Sequence, residues 1–161
     1  MEEFYLSKVL STAQIQECFR DAMPSLTVFE WAMMIGDQEP MEFDSADPMH
    51  IFFEASTSEV PQFPQHVALY RTPNEDWEAR SLWLGQKLSA TYGMAVLVPF
   101  THPAQPHYPY YDIVFQDGSP YLADDSETEF GEPDAKPVQI LEVYALPEVH
   151  FDTCGNLRNT P

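Results

Sequence analysis

The stretch from Asn74 to Phe100 limits the fold more than any other part of the chain. Asn74 to Tyr92 reads as one helix. Thr72 or Asn74 can cap its start, and Glu75, Asp76 and Glu78 suit the positive end of the helix dipole. Trp77, Leu82 (or the stem of Arg80), Leu84, Leu88 and Tyr92 supply an apolar face. Gly93 stands where a left-handed C-cap belongs. Met94 to Phe100 is then a continuous apolar run, expected as a central strand buried on both faces. A helix that turns at a glycine straight into a buried strand has to pack on a sheet.

The remaining elements fit that requirement. Residues 11–23 read as a helix capped by Ser11 or Thr12, with Ile15, Cys18, Phe19 and Met23 (or Ala22) in a stripe and Pro24 as its stop. Strands are expected at 26–34, 49–54, 66–71, 110–115, 120–123 and 138–146. Asp117-Gly118 is a hairpin signal between two of them. Loops are expected at 36–48, at 55–65 with Pro61 and Pro64, at 99–109 with four prolines, and at 124–136. Trp31 and Trp77 fall on expected core faces, whereas Trp83 falls off its helix's main stripe.

The order α-β-β-β-α-β-β-β-β predicts an α+β fold: an antiparallel or mixed β-sheet of about six to seven strands covered by two helices. A length of 161 residues suits a single domain spanning 1–161, with a loosely ordered C-terminal tail at 150–161. The N-terminus lacks the basic and apolar regions of a signal peptide, and no apolar run is long enough to span a bilayer. The expected location is cytoplasmic, with no membrane contact.

Charge narrows the function. The chain has 26 Asp and Glu against 7 Lys and Arg, a net charge of −19. Such a field repels nucleic acid and anionic lipid and speeds encounter with basic proteins. No Lys or Arg occurs between Asp21 and Tyr70 or between Leu88 and Ala135. Within those stretches the carboxylates gather in loops 37–47 and 117–134. The candidate partner-binding residues are therefore Asp37, Glu39, Glu42, Asp44, Asp47, Asp117, Asp124, Asp125, Glu127 and Glu129.

Catalytic signals are weak. GxSxG, HExxH and P-loop patterns are missing, and six glycines provide no phosphate cradle. Cys18 and Cys154 have no metal-ligand spacing, and Cys18 lies on a buried stripe. Asp124 to Glu129 lacks the central glycine of a calcium loop. No catalytic residue, metal or cofactor is expected, and the chain reads as a non-enzyme.

The helix 74–92, Gly93, strand 94–100 and the hairpin Tyr111 to Leu122, together with the size and acidity, resemble a bacterial immunity protein of a toxin–immunity pair. The resemblance is one of general type. It implies an acidic inhibitor that neutralises a basic cognate toxin, for example a nuclease, by occluding its active site. Two alternatives stay open: a general nucleic-acid mimic or protein-interaction module, and a small enzyme or ligand-binding protein with a pocket near His102 and His107.

Overall fold

The unit around Gly93 is the hub of the structure. The computed structural model describes residues 1–31, 40 and 42–159. Among these the chain runs β1 (Glu2–Leu6), α1 (Thr12–Ala22), β2 (Thr27–Glu30), β3 (His50–Val60), β4 (Phe63–Tyr70), α2 (Trp77–Tyr92), β5 (Ala95–Pro99), β6 (Tyr111–Gln116), β7 (Ser119–Asp124), β8 (Gln139–Val143), β9 (His150–Phe151) and β10 (Leu157–Arg158). Gly93 adopts φ 57° and its N–H donates to the Ser89 carbonyl, which lets α2 turn directly into β5.

The sheet has eight strands in the order β2-β3-β4-β1-β5-β6-β7-β8, and β9 and β10 form a separate two-stranded ribbon. The expected six to seven strands are thus corrected to eight. The large sheet is mixed, because β2 runs parallel to β3 while the other neighbours are antiparallel. The strand missed in the sequence is β1. Its consecutive Glu2 and Glu3 look unsuited to a sheet interior, yet it pairs with both β4 and β5.

A second correction concerns residues 55–65, expected as a loop. β3 and β4 form one long hairpin there, with Pro61 in its turn. The register shifts between Thr57 and Val60, so Pro64 falls where the ladder is already loosened and its missing N–H costs little. β2 ends at Glu30, and the rest of the strand expected to residue 34 lies largely outside the described residues.

Side chains alternate across the sheet, and the two faces have different covers. Phe4, Leu6, Val28, Ile51, Phe53, Val67, Leu69, Val96, Val98, Ile113, Phe115 and Leu122 form the main core with Ile15, Cys18 and Phe19 of α1 and Leu84 and Leu88 of α2. Both helices therefore lie on one face. The second face holds a smaller buried cluster of Val60, Phe63, Leu97, Val114, Ala123 and Val138. Val138 comes from the segment linking β7 to β8, which crosses this face and ties to the β3–β4 hairpin: Gly131 N–H donates to the Glu59 carbonyl, and Val138 N–H to Gln62 Oε1.

Helix α1 begins with a full capping box: Ser11 Oγ accepts from the Gln14 N–H, and Gln14 Oε1 accepts from the Ser11 N–H. Ser11→Ala is expected to destabilise the protein by about 1 kcal/mol in urea unfolding, with an unchanged m-value. Helix α2 starts at Trp77, later than expected. Asn74 is committed elsewhere, its Oδ1 accepting from Arg80 Nη2. Trp77 is 41% exposed, which corrects its assignment to the core. Trp83 stacks on Phe151, with Lys87 Nζ 5.1 Å from the centre of its ring.

Residues 150–158, read from sequence as part of a loose tail, carry the β9–β10 ribbon. Arg71 Nη1 donates to the Cys154 carbonyl and Arg80 Nη1 to the Gly155 carbonyl. Gly155, at φ 72°, sits so close to Met23 that an added Cβ would lie 2.5 Å from its sulfur.

Candidate functional site

The two acidic loops lie over the same face of the sheet, at opposite ends of the β3–β4 hairpin. Phe43, from the first loop, packs edge-on against Phe29, Trp31 and Phe52. Phe29 and Phe52 lie on the face opposite the helices, because their neighbours Val28, Ile51 and Phe53 belong to the main core. The second loop covers the same face further along, through Thr128, Phe130 and Val138. Glu42 and Asp44 are exposed and Asp47 is half-buried; Glu127 and Glu129 are exposed. Asp37 and Glu39 lie outside the described residues.

The other candidate carboxylates are placed differently. Asp117, at φ 49°, belongs to the β6–β7 turn, which docks on α2: Gln86 Nε2 donates to the Gly118 carbonyl. It is therefore apart from the two loops. Asp124 accepts from the Tyr108 hydroxyl at 2.7 Å and from the Ser126 N–H at 2.8 Å. Burial opposes its charge, but hydrogen bonds from Ser126 and Tyr108 outweigh that and hold its carboxyl below the ordinary value.

Asp125 meets a group that sequence reasoning missed. Asp112, only 4% exposed on β6, lies close enough for each carboxyl to shift the ionisation of the other. Burial, reinforced by the charge of Asp125, pushes the Asp112 carboxyl up to about 9. Burial thus favours the neutral form of Asp112 at neutral pH, with the charge kept at or beyond Asp125. Burial also raises the Asp125 carboxyl. Beside them, Asp112 Oδ2 and Thr128 Oγ1 are buried without a hydrogen-bond partner. The period-two pattern of β6 placed Asp112 in a strand, but only the crossing of the second loop makes its face an interior.

Positive charge is sparse beside these loops, with Arg71 near the first and Lys136 on the second. Arg80 forms a buried ion pair with Glu2, at 1% and 0% exposure. Among the described residues the only other ion pair made by a Lys or Arg is Lys136 to Glu127, at 3.4 Å on the surface. The carboxylates of Glu42, Asp44 and Glu129 have no basic neighbour of that kind.

An aromatic cavity of about 400 Å³ opens beside the first loop, lined by Trp31, Phe43, Phe52 and Tyr70 with Asp47, His50 and Arg71. The rings of Phe52 and Tyr70 stack 4.7 Å apart at 16°. Along α2 a second, mainly apolar groove of about 550 Å³ runs between Leu82, Trp83 and Gln86 on one side and Tyr144 to Val149 on the other.

His102 and His107 do not form a joint site. His102 packs among Phe100, Tyr111 and Tyr144, its Nδ1 accepting from the Ala104 N–H, while His107 is exposed. Among the described residues no group of three or more His, Cys, Asp or Glu side chains is arranged to hold a metal. Cys18 and Cys154 are free thiols, and burial pushes that of Cys18 up to about 11, which suits packing rather than nucleophilic attack. No described helix is long and apolar enough to cross a membrane.

Comparison with protein-family models, curated proteins and solved structures found no match to this chain.

Proposed function

We propose that this chain is an acidic binding protein that neutralises a basic protein partner, in the manner of an immunity protein occluding a toxin such as a nuclease. The observation that carries the reading is that both acidic loops lie over the face opposite the helices, with Lys136 as the one surface Lys or Arg in an ion pair there among the described residues. Like charges gathered on one face repel each other in the free protein, and a basic partner relieves that repulsion. The partner is expected to be a protein rather than nucleic acid, since a field of net charge −19 disfavours phosphate.

The test is co-purification from the native host, followed by affinity measurement on the protein captured. Binding is expected to weaken by tenfold or more between about 50 and about 300 mM salt, where the Debye length shrinks from about 14 to about 6 Å. Glu127→Lys with Glu129→Lys is expected to cut the association rate by about tenfold while leaving the fold intact. A captured partner that is acidic, or affinity indifferent to both salt and the double substitution, contradicts the reading. Capture of several unrelated DNA-binding proteins in place of one points instead to a nucleic-acid mimic.

A further inference from the structure

We propose that the chain pairs with a second copy of itself through β8, the open edge of the large sheet, to form a twofold dimer. The proposal goes beyond the reading above and does not depend on it.

β8 hydrogen-bonds to β7 on one side and, among the described residues, to no strand on the other. All five of its residues are exposed, with Ile140 at 41%, Leu141 at 43% and Val143 at 74%. Sheet edges are commonly blunted by lysine or proline. Between Pro137 and Pro147 the sequence has neither. The far edge of the sheet is blunted in another way. Thr27 N–H turns inward to the Met49 carbonyl, so Val28 faces outward, and Gln16 Nε2 donates to its carbonyl at 2.7 Å. Pairing of β8 with β8 closes at two copies and does not propagate.

The geometry of β8 matches itself. Tyr144 N–H donates to the Pro120 carbonyl, so the Pro120 backbone faces β8. By alternation along β7, Tyr121 and Ala123 turn their backbone groups to β6. Their partners across the ladder, Val143 and Ile140, therefore turn N–H and C=O outward. Both side chains lie on the face opposite the helices, because Ala123 belongs to the buried cluster there and Tyr121 is two residues away on its strand. An antiparallel twofold can set Ile140 of each copy opposite Val143 of the other. Each such pair exchanges N–H···O bonds in both directions and lays one apolar side chain beside another. The same register sets Glu142 opposite Leu141, so the strand's one charge does not meet its own copy. A basic partner would find a single carboxylate on this edge, whereas a second β8 satisfies its backbone and its apolar side chains together. Two bodies of net charge −19 repel each other. Self-association therefore strengthens as salt screens them, the reverse of the dependence expected for a basic partner.

The experiment is light scattering of the full chain up to about 1 mM, in about 50 and about 500 mM salt, with amide hydrogen exchange on the same samples. The mass is expected to rise towards two chains with concentration, with a dissociation constant about tenfold lower at the higher salt. The Ile140 and Val143 amides are expected to exchange about tenfold more slowly in the dimer, while that of Tyr144 stays slow throughout. Val143→Pro removes an outward N–H that β7 does not use, and Val143→Lys places a charge on the edge. Each variant, with a circular dichroism spectrum like that of wild type, is expected to remain a single chain. A single-chain mass at the highest concentration and salt overturns the proposal. So does a dimer that survives both substitutions while the Ile140 and Val143 amides exchange freely. If the chain stays single while the basic protein captured from the host protects those two amides, the edge takes a foreign strand instead of a second copy.

Discussion

Arg80→Met is expected to destabilise the protein by about 3–5 kcal/mol, the cost of leaving a buried carboxylate without its partner. Arg80 is 1% exposed and holds three elements at once. Its Nε donates to Glu2 Oε1 on β1, its Nη1 to the Gly155 carbonyl in the C-terminal ribbon, and its Nη2 to Asn74 Oδ1 before α2. Glu2 is fully buried, and among the described residues its Oε2 has no hydrogen-bond partner, so Arg80 supplies the carboxylate's side-chain hydrogen bond, with the charge of Arg71 nearby. Removing the arginine takes that bond away and also orphans the Gly155 carbonyl. Glu2→Leu combined with Arg80→Met should recover most of the loss, because well-packed apolar residues often replace a buried pair at little cost. Urea unfolding of the two single variants and the double one forms a thermodynamic cycle that checks this. A single-variant loss below about 1 kcal/mol would show that the pair is not isolated from water.

The second large effect is on the pH dependence of stability. Burial and the neighbouring Asp125 push the Asp112 carboxyl up from the ordinary 3.8 to about 9 in the folded protein. Between those values the folded state holds a proton that the unfolded state has released, so stability is greatest at the acid end of the window and falls as pH rises towards 9. Each unit of difference corresponds to about 1.4 kcal/mol, so the loss from pH 4 to 9 amounts to several kcal/mol. Asp112→Asn keeps a neutral donor facing Asp125 and removes the titration. The variant is expected to match wild type near pH 4 and to exceed it by several kcal/mol near pH 9. General repulsion among the carboxylates also lowers stability as pH rises, so the quantity to read is the difference between the two urea-unfolding profiles from pH 4 to 9. Parallel profiles would show that Asp112 is ionised throughout.

These two effects involve residues that sequence reasoning did not connect. In sequence Glu2 is one of two consecutive glutamates outside every expected strand, and Arg80 reads as a stem on the apolar stripe of its helix. They lie 78 residues apart. In sequence Asp112 stands out only as a carboxylate near His102 and His107, at a spacing that matches no standard metal site, and Asp125 as a member of an acidic loop. The first pair exists because α2 packs over β1, and the second because the β6–β7 hairpin returns Asp125 beside Asp112. The acidic loops themselves were visible from charge spacing, but nothing in that spacing said that both would cover the face opposite the helices. Nor did it separate Asp117, which the β6–β7 turn carries to α2.

What the sequence determined by itself was local. The α1 stripe and its Ser11 cap, the turn from α2 through Gly93 into β5, the Asp117-Gly118 hairpin and the buried Cys18 all follow from spacings of a few residues, where helix period, capping and turn chemistry act directly. Tertiary structure alone decided that β1 runs between β4 and β5, that residues 55–65 form a hairpin, and that two carboxyl groups become interior. The free energy of those choices comes from burial and pairing across long separations, which no window of neighbouring residues contains.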